Sequence, residues 1–234
     1  MNVLVVVPTY NERENLPVLI PAVLAHAGFR MLIVDDGSPD GTGQVADDLA
    51  RQFPGRVEVM HRTGLRGLGR SYVDGLRRAL ETDAELVCQM DADLSHGPEY
   101  LPSLAAAATE RFDVVIGSRY LHGVSVVNWP LHRIFLSTFA NRYIKAVTQL
   151  SPSDCTSGFR CWRREALARL PLERVVSDGY AFLIEMLFEA NRTGARIGEV
   201  PIIFVERRQG QSKVSTAVLI ESLITPWRLA LRRT

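Results

Sequence analysis

Short apolar runs recur through the first 120 residues: VLVVV (3–7), MLIVD (31–35), VEVMH (57–61), ELVCQMD (85–91) and VVIGS (114–118). Each is rich in β-branched or other apolar residues and ends in a polar or Gly-rich turn, which predicts strands. Between them, 15–27, 42–53, 69–82 and 98–111 carry helical spacing, and Pro17 and Pro98 fall where a first helical turn tolerates proline. Continuously apolar strands separated by helices predict an α/β fold with a mostly parallel sheet covered on both faces. Ligands of such sheets bind beyond the carboxyl ends of the strands. The unusual residues fall there: PTYNE (8–12), DDGSPDGT (35–42), DAD (91–93) and SRY (118–120).

After residue 120 the pattern changes. Residues 131–150 read as a helix with a broad apolar arc and Ser137, Asn141 and Lys145 opposite; such arcs ordinarily pack into a core. Residues 155–164 read as a short strand or turn, 180–194 as a helix closed by Gly194, and 196–207 as an alternating strand. The polar stretch 208–215 reads as a mobile loop, and the last 20 residues as a helix that Pro226 kinks. No repeat, low-complexity tract or linker interrupts the chain, so 1–234 reads as a single domain with halves at 1–120 and 121–215 and a terminal helix at 216–234.

The chain has 234 residues with a net charge of +1, so bulk electrostatics give no case for nucleic acid binding. Its three cysteines, Cys88, Cys155 and Cys161, are odd in number and scattered, which argues against a disulfide framework and for a reducing compartment. The N-terminus lacks the basic n-region of a signal peptide, and no run of apolar residues is long enough to span a bilayer.

Asp91 and Asp93 carry the sharpest chemistry. In a strand, residues i and i+2 share a face, so both carboxylates converge where the fourth strand ends. Two close carboxylates repel unless a cation lies between them, and oxygen-only ligands suit Mg²⁺ or Mn²⁺. A solvated turn with two capping aspartates is the plainer alternative. In DDGSPDGT, Thr42 is placed to cap the second helix, and a carboxylate there can accept hydrogen bonds from a base or ribose. GLRGLGRSYVDG (64–75) tempts towards a dinucleotide fingerprint, but Tyr72 stands where a third Gly or Ala belongs, and the segment follows the third strand. Arg119, Arg133, Arg160, Arg207 and Lys213 are candidate phosphate ligands or plain surface charge. Arg133 and Ser137, four apart on one helix, share a face that can grip one anion.

Taken together, VVVPTYNERENL, VDDGSPDGT, GLGRSYVDG, MDADLSH, GSRY, SGFR and FVERRQGQSK occur in the order and approximate spacing of inverting family-2 glycosyltransferases. Within these, residues 2 to about 215 resemble the dolichyl-phosphate (polyprenyl-phosphate) mannosyltransferases. The resemblance implies a GT-A fold with a Rossmann-like sheet and a C-terminal amphipathic helix, GDP-mannose as donor, a polyprenyl phosphate as acceptor, and Mg²⁺ or Mn²⁺. By position, Pro8, Tyr10, Glu12, Val34 and Asp36 would line the nucleotide pocket, with Asp154 a further pocket residue. Asp91, Ala92 and Asp93 would hold the metal and diphosphate. Arg119, Arg133 and Ser137 would meet the acceptor phosphate, and Arg207 and Lys213 would close over the donor.

Ser95 stands where some relatives place a Gln metal ligand, which puts a third protein ligand in doubt. UDP-glucose or another nucleotide sugar is the alternative donor, with a lipid-phosphate or saccharide acceptor. A non-enzymatic nucleotide-binding module fits less well, because the acidic pair and the loop cations are all present. The lipid acceptor implies a peripheral position at the cytoplasmic face of a membrane, with a membrane-anchoring partner protein as a further expectation. The terminal stripe Val218, Leu219, Leu223, Trp227 and Leu231, ending in Arg228, Arg232 and Arg233, suits a membrane interface, or equally a core-packing helix.

Overall fold

The computed structural model describes residues 1–175, 177, 179–206 and 216–232. Strands β1 (Val3–Thr9), β2 (Phe29–Asp35), β3 (Val57–His61), β4 (Leu86–Gln89) and β5 (Val114–Ser118) form on the five apolar runs. Helices α1 (Leu16–Leu24), α2 (Thr42–Gln52), α3 (Leu68–Leu80) and α4 (Leu101–Glu110) separate them. The remainder is β6 (Val126–Val127), α5 (Leu131–Thr148), β7 (Arg160–Arg163), α6 (Arg164–Ala168), α7 (Gly179–Arg192), β8 (Ile197–Pro201), β9 (Phe204–Val205) and α8 (Thr216–Leu231).

Seven strands make one sheet in the order β3-β2-β1-β4-β7-β5-β8. Its neighbours are parallel except at β7, which runs antiparallel to both β4 and β5. β1 explains the apolar runs. Val3, Val5 and Val7 pack on one face with α1 residues such as Leu16 and Leu19, and Leu4 and Val6 pack on the other with Tyr72 and Leu76 of α3. Helix α3 lies so close to the sheet that a Cβ on Gly75 would sit 2.5 Å from Val6 Cγ1 and 2.8 Å from Val34 Cγ2.

Residues 155–164 hold the expected short strand, at Arg160–Arg163. The structure departs from the expectations at three places. The run 196–207 is not one strand: after β8, Ile202 turns into the core, and β9 pairs instead with β6 in a separate two-stranded ribbon. Thr42 is the first residue of α2, not its cap; Asp40 Oδ1 receives both the Thr42 N–H (3.0 Å) and its hydroxyl (2.6 Å).

The third departure is α5, whose polarity is inverted. Leu131, Phe135, Leu136 and Phe139 are 57–73% exposed, while Asn141 is buried and donates to the Ser137 carbonyl and the Thr156 hydroxyl. Its apolar arc faces outward because the polar side serves the protein: Asn141 Oδ1 also accepts the Cys155 N–H at 2.8 Å. Helix α8 adjoins α5, with the Tyr143 hydroxyl donating to the Leu223 carbonyl at 2.6 Å. Its Leu229 is fully buried in a cluster with Ile184 and Phe188, whereas Leu223, Ile224, Trp227 and Leu231 are exposed. Among the described residues, no helix is long and apolar enough to cross a membrane.

Candidate active site

Because β1, β2 and β4 run parallel, their carboxyl ends deliver PTYNE, DDGS and DAD to one edge of the sheet. A cavity of about 650 Å³ opens there. Pro8, Tyr10, Glu12, Asp36, Asp91, Ala92 and Asp93 line one side, and Arg119, Trp129, Arg133 and Phe204 contribute the cationic and aromatic side. The structure therefore brings together most of the residues picked from the sequence.

β4 ends at Gln89, so both aspartates sit on the turn after the strand rather than in it. Asp91 is clamped twice. Its Oδ1 accepts the Tyr72 hydroxyl at 2.9 Å, and its N–H donates to His96 Nδ1 at 3.2 Å. His96 is itself buried and stacked on Phe159, ring centroids 4.9 Å apart. Asp93 Oδ1 accepts the Ser95 N–H (3.1 Å) and hydroxyl (2.6 Å), so Ser95 orients this carboxylate. Leu94 between them takes a left-handed φ of 62°, a strained conformation for a branched aliphatic residue. Among the described residues, no group of three or more acidic, His or Cys side chains is placed to hold a metal ion by itself. Two carboxylates on one cavity wall nevertheless fit Mg²⁺ or Mn²⁺, which complete their shells with substrate oxygens and water.

On the nucleotide side, Val34 does not reach the cavity; its side chain is fully buried beneath α3. Asp36 does, but its carboxylate is engaged by Arg62 Nη1 and by the Gly67 N–H at 2.8 Å. Arg66 lies over the Tyr10 ring, 5.1 Å from its centroid, and donates to the Tyr10 hydroxyl.

On the cationic side, Arg119 donates to Asp154 from Nε and Nη2, both at 2.7 Å, and from its backbone N–H at 3.1 Å. Asp154 lies behind Arg119 with no exposure and does not line the cavity. Burial alone would raise its pKa, but the charge and hydrogen bonds of Arg119 outweigh that and hold it below the usual carboxylate value. Arg133 stacks on Trp129 at 4.0 Å and pairs with Glu206. Ser137 accepts the Tyr120 hydroxyl at 2.7 Å and lies off the cavity wall, so Arg133 and Ser137 do not form the shared anion grip that their spacing suggests. Arg207 and Lys213 lie outside the described residues.

Sequence reasoning missed Tyr72, His96, Trp129 and Phe204, all on the cavity wall. Tyr72 had announced itself only as the residue that spoils a glycine fingerprint. Burial, then the charges of Asp91 and Asp93, keep its phenol protonated far above the ordinary range, so it is a donor. Arg160 lies behind the site, fully buried, donating to the Ser157 and Cys155 carbonyls. Burial lowers its pKa to about 10.

Comparison with known proteins follows the same lines. The family model described as glycosyl transferase family 2 matches residues 4–170. The chain is 46% identical over 222 residues to the polyprenol monophosphomannose synthase of Mycolicibacterium smegmatis, covering 94% of this chain and 83% of the relative. It is 43% identical over 235 residues to the undecaprenyl-phosphate mannosyltransferase of Micrococcus luteus, covering 99% and 96%. A solved structure of glucosyl-3-phosphoglycerate synthase from Mycobacterium tuberculosis, in complex with Mn²⁺, UDP and phosphoglyceric acid, superposes with a TM-score of 0.74 at 18% identity. It covers 98% of this chain and 78% of that one, and supports the fold alone.

Proposed function

Because this chain belongs to glycosyl transferase family 2 and carries its GT-A-like fold, we propose that it transfers mannose from GDP-mannose to a polyprenyl phosphate, with inversion at the anomeric carbon. The observation that carries this reading is one cavity in which an acidic pair, Asp91 and Asp93, shares the walls with two arginines, Arg119 and Arg133. The two mannosyl relatives support the sugar and the acceptor class.

The chemistry suits those residues. A phosphate monoester has a second pKa of about 6, so the acceptor is largely dianionic at neutral pH. One of its oxygens attacks the anomeric carbon from the face opposite GDP; the new C–O bond forms as the bond to the diphosphate breaks. No proton need leave the nucleophile, so a general base is dispensable. The barrier is the approach of one anion to another. A divalent cation held by Asp91 and Asp93 would supply neutralisation of the departing diphosphate. Arg119, immobilised by Asp154, and Arg133, backed by Trp129, would receive and orient the acceptor phosphate. Arg207 and Lys213 complete the reading as cations over the donor.

The acceptor is a lipid, and α5 offers it a surface. This helix carries both the exposed Phe135 and Phe139 and the cavity residue Arg133. A polyprenyl chain lying with other lipid against α5 therefore brings its phosphate to the cavity. Exposed Leu223, Ile224, Trp227 and Leu231 of α8 extend the apolar area, with the exposed Arg142 facing anionic headgroups, while Arg228 and Arg232 are engaged inward by the buried Glu185. We read the enzyme as peripheral to the cytoplasmic face of a membrane, where a membrane-anchoring protein is a further candidate partner.

Incubation with radiolabelled GDP-mannose and a short polyprenyl phosphate, beside radiolabelled UDP-glucose, tests this. A labelled mannolipid is expected; a glucolipid supports the UDP-glucose reading, and no lipid product from either donor overturns both. Replacing Asp91 and Asp93 with Asn should abolish transfer at low Mg²⁺, and undiminished transfer excludes the metal role.

A further inference from the structure

The Tyr72 side chain is wholly buried, its ring stacked on Phe182 with centroids 5.6 Å apart and planes within 4°. Yet its hydroxyl reaches the cavity wall and meets Asp91 Oδ1 at 2.9 Å. The position of that hydroxyl is set by the sheet: α3 is seated against Val6 and Val34 at Gly75, one turn beyond Tyr72. His96 meanwhile fixes the Asp91 backbone N–H. One end of the aspartate is thus tied by an imidazole and the other by a phenol, both from buried rings.

We propose that Tyr72 is a positioning residue, whose hydroxyl fixes the orientation of the Asp91 carboxylate for a divalent cation. The inference rests on the acidic-pair reading above and deepens it. An ionised carboxylate with one oxygen held by a rigid donor loses the freedom to swing, and such supporting partners of a metal ligand govern affinity nearly as strongly as the ligand. The same ring also fills the core beneath β1 and β2, so a purely structural role is the competing account.

Mn²⁺ titration of the whole protein without donor, followed by electron paramagnetic resonance, separates the two. Tyr72→Phe keeps the ring and removes only the hydroxyl; Mn²⁺ affinity should fall about 10- to 100-fold. Phe182→Leu loosens the ring but leaves the hydroxyl; it should lower the melting temperature and leave Mn²⁺ affinity unchanged. Should Tyr72→Phe fail to fold, Tyr72→Leu carries the same test, since it also keeps an apolar side chain and removes the hydroxyl while leaving Asp91 unchanged, and the same weakening is expected. Wild-type affinity in Tyr72→Phe, or in Tyr72→Leu if that variant stands in, beside an Asp91→Asn that binds no Mn²⁺, overturns the role of Tyr72 and leaves the acidic pair intact. A wild type that binds no Mn²⁺ overturns both.

Discussion

Arg119 and Asp154 meet through two side-chain hydrogen bonds of 2.7 Å, with Asp154 completely buried. The pair fixes a guanidinium at the cavity wall, and it makes the fold depend on a carboxylate that must stay ionised. Asp154→Ala strands a buried arginine, and loss of about 3–5 kcal/mol in urea-unfolding free energy is expected. The pH dependence has a definite sign. The folded-state pKa of Asp154 lies below its ordinary 3.8, so its contribution is complete above the unfolded value and is lost as pH falls through the folded one. The acid limb of the stability curve should therefore be shallower in Asp154→Ala than in the wild type.

Glu206 holds the guanidinium of Arg133, a partly exposed pair whose arginine lines the cavity. On the proposed reading, in which Arg133 receives the acceptor phosphate, the Glu206 carboxylate would compete with it. Glu206→Gln should lower the KM for a short polyprenyl phosphate by about 2- to 5-fold, the range of one partly exposed ion pair. Steady-state kinetics at low ionic strength checks this, and the difference should shrink as salt is added.

Gly75 marks the tightest contact between α3 and the sheet. A methyl there must push the helix off Val6 and Val34, and Gly75→Ala should cost about 1–3 kcal/mol, read from the urea midpoint. Helix propensity alone predicts the opposite sign, so the measurement discriminates.

Phe135 and Phe139 are 72% and 66% exposed, so nothing in the core needs them. Phe135→Glu with Phe139→Glu should leave the melting temperature near wild type and abolish flotation with anionic vesicles. Trp227→Glu should weaken flotation in the same assay.

Much of the fold was legible because parallel strands buried on two faces must be apolar throughout, as VLVVV is, and the turns after them must hold whatever binds. That logic places Asp91, Asp93, Tyr10 and Glu12 at one rim of the sheet, where the cavity lies. It failed at α5 because an apolar arc says only that a face avoids water, not whether protein or another apolar medium covers it. Asn141, read as the outward side, was in fact needed to satisfy the Cys155 N–H. Asp36 does line the cavity, but the sequence does not show that its carboxylate is engaged, because its partner Arg62 follows the end of β3. Tyr72 was invisible for the same reason: its hydroxyl has meaning only once α3 is laid across β1.

β7 lies between β4 and β5, so that Cys161 stands opposite both Cys88 and Val115. Those two parallel strands are successive along the chain yet do not pair with each other. While the polypeptide emerges from the ribosome, the gap between them stays open until the residue 160–163 segment is released, and two raw strand edges wait on either side. Cutting the gene after residue 120 should therefore yield insoluble material instead of a self-sufficient nucleotide-binding half.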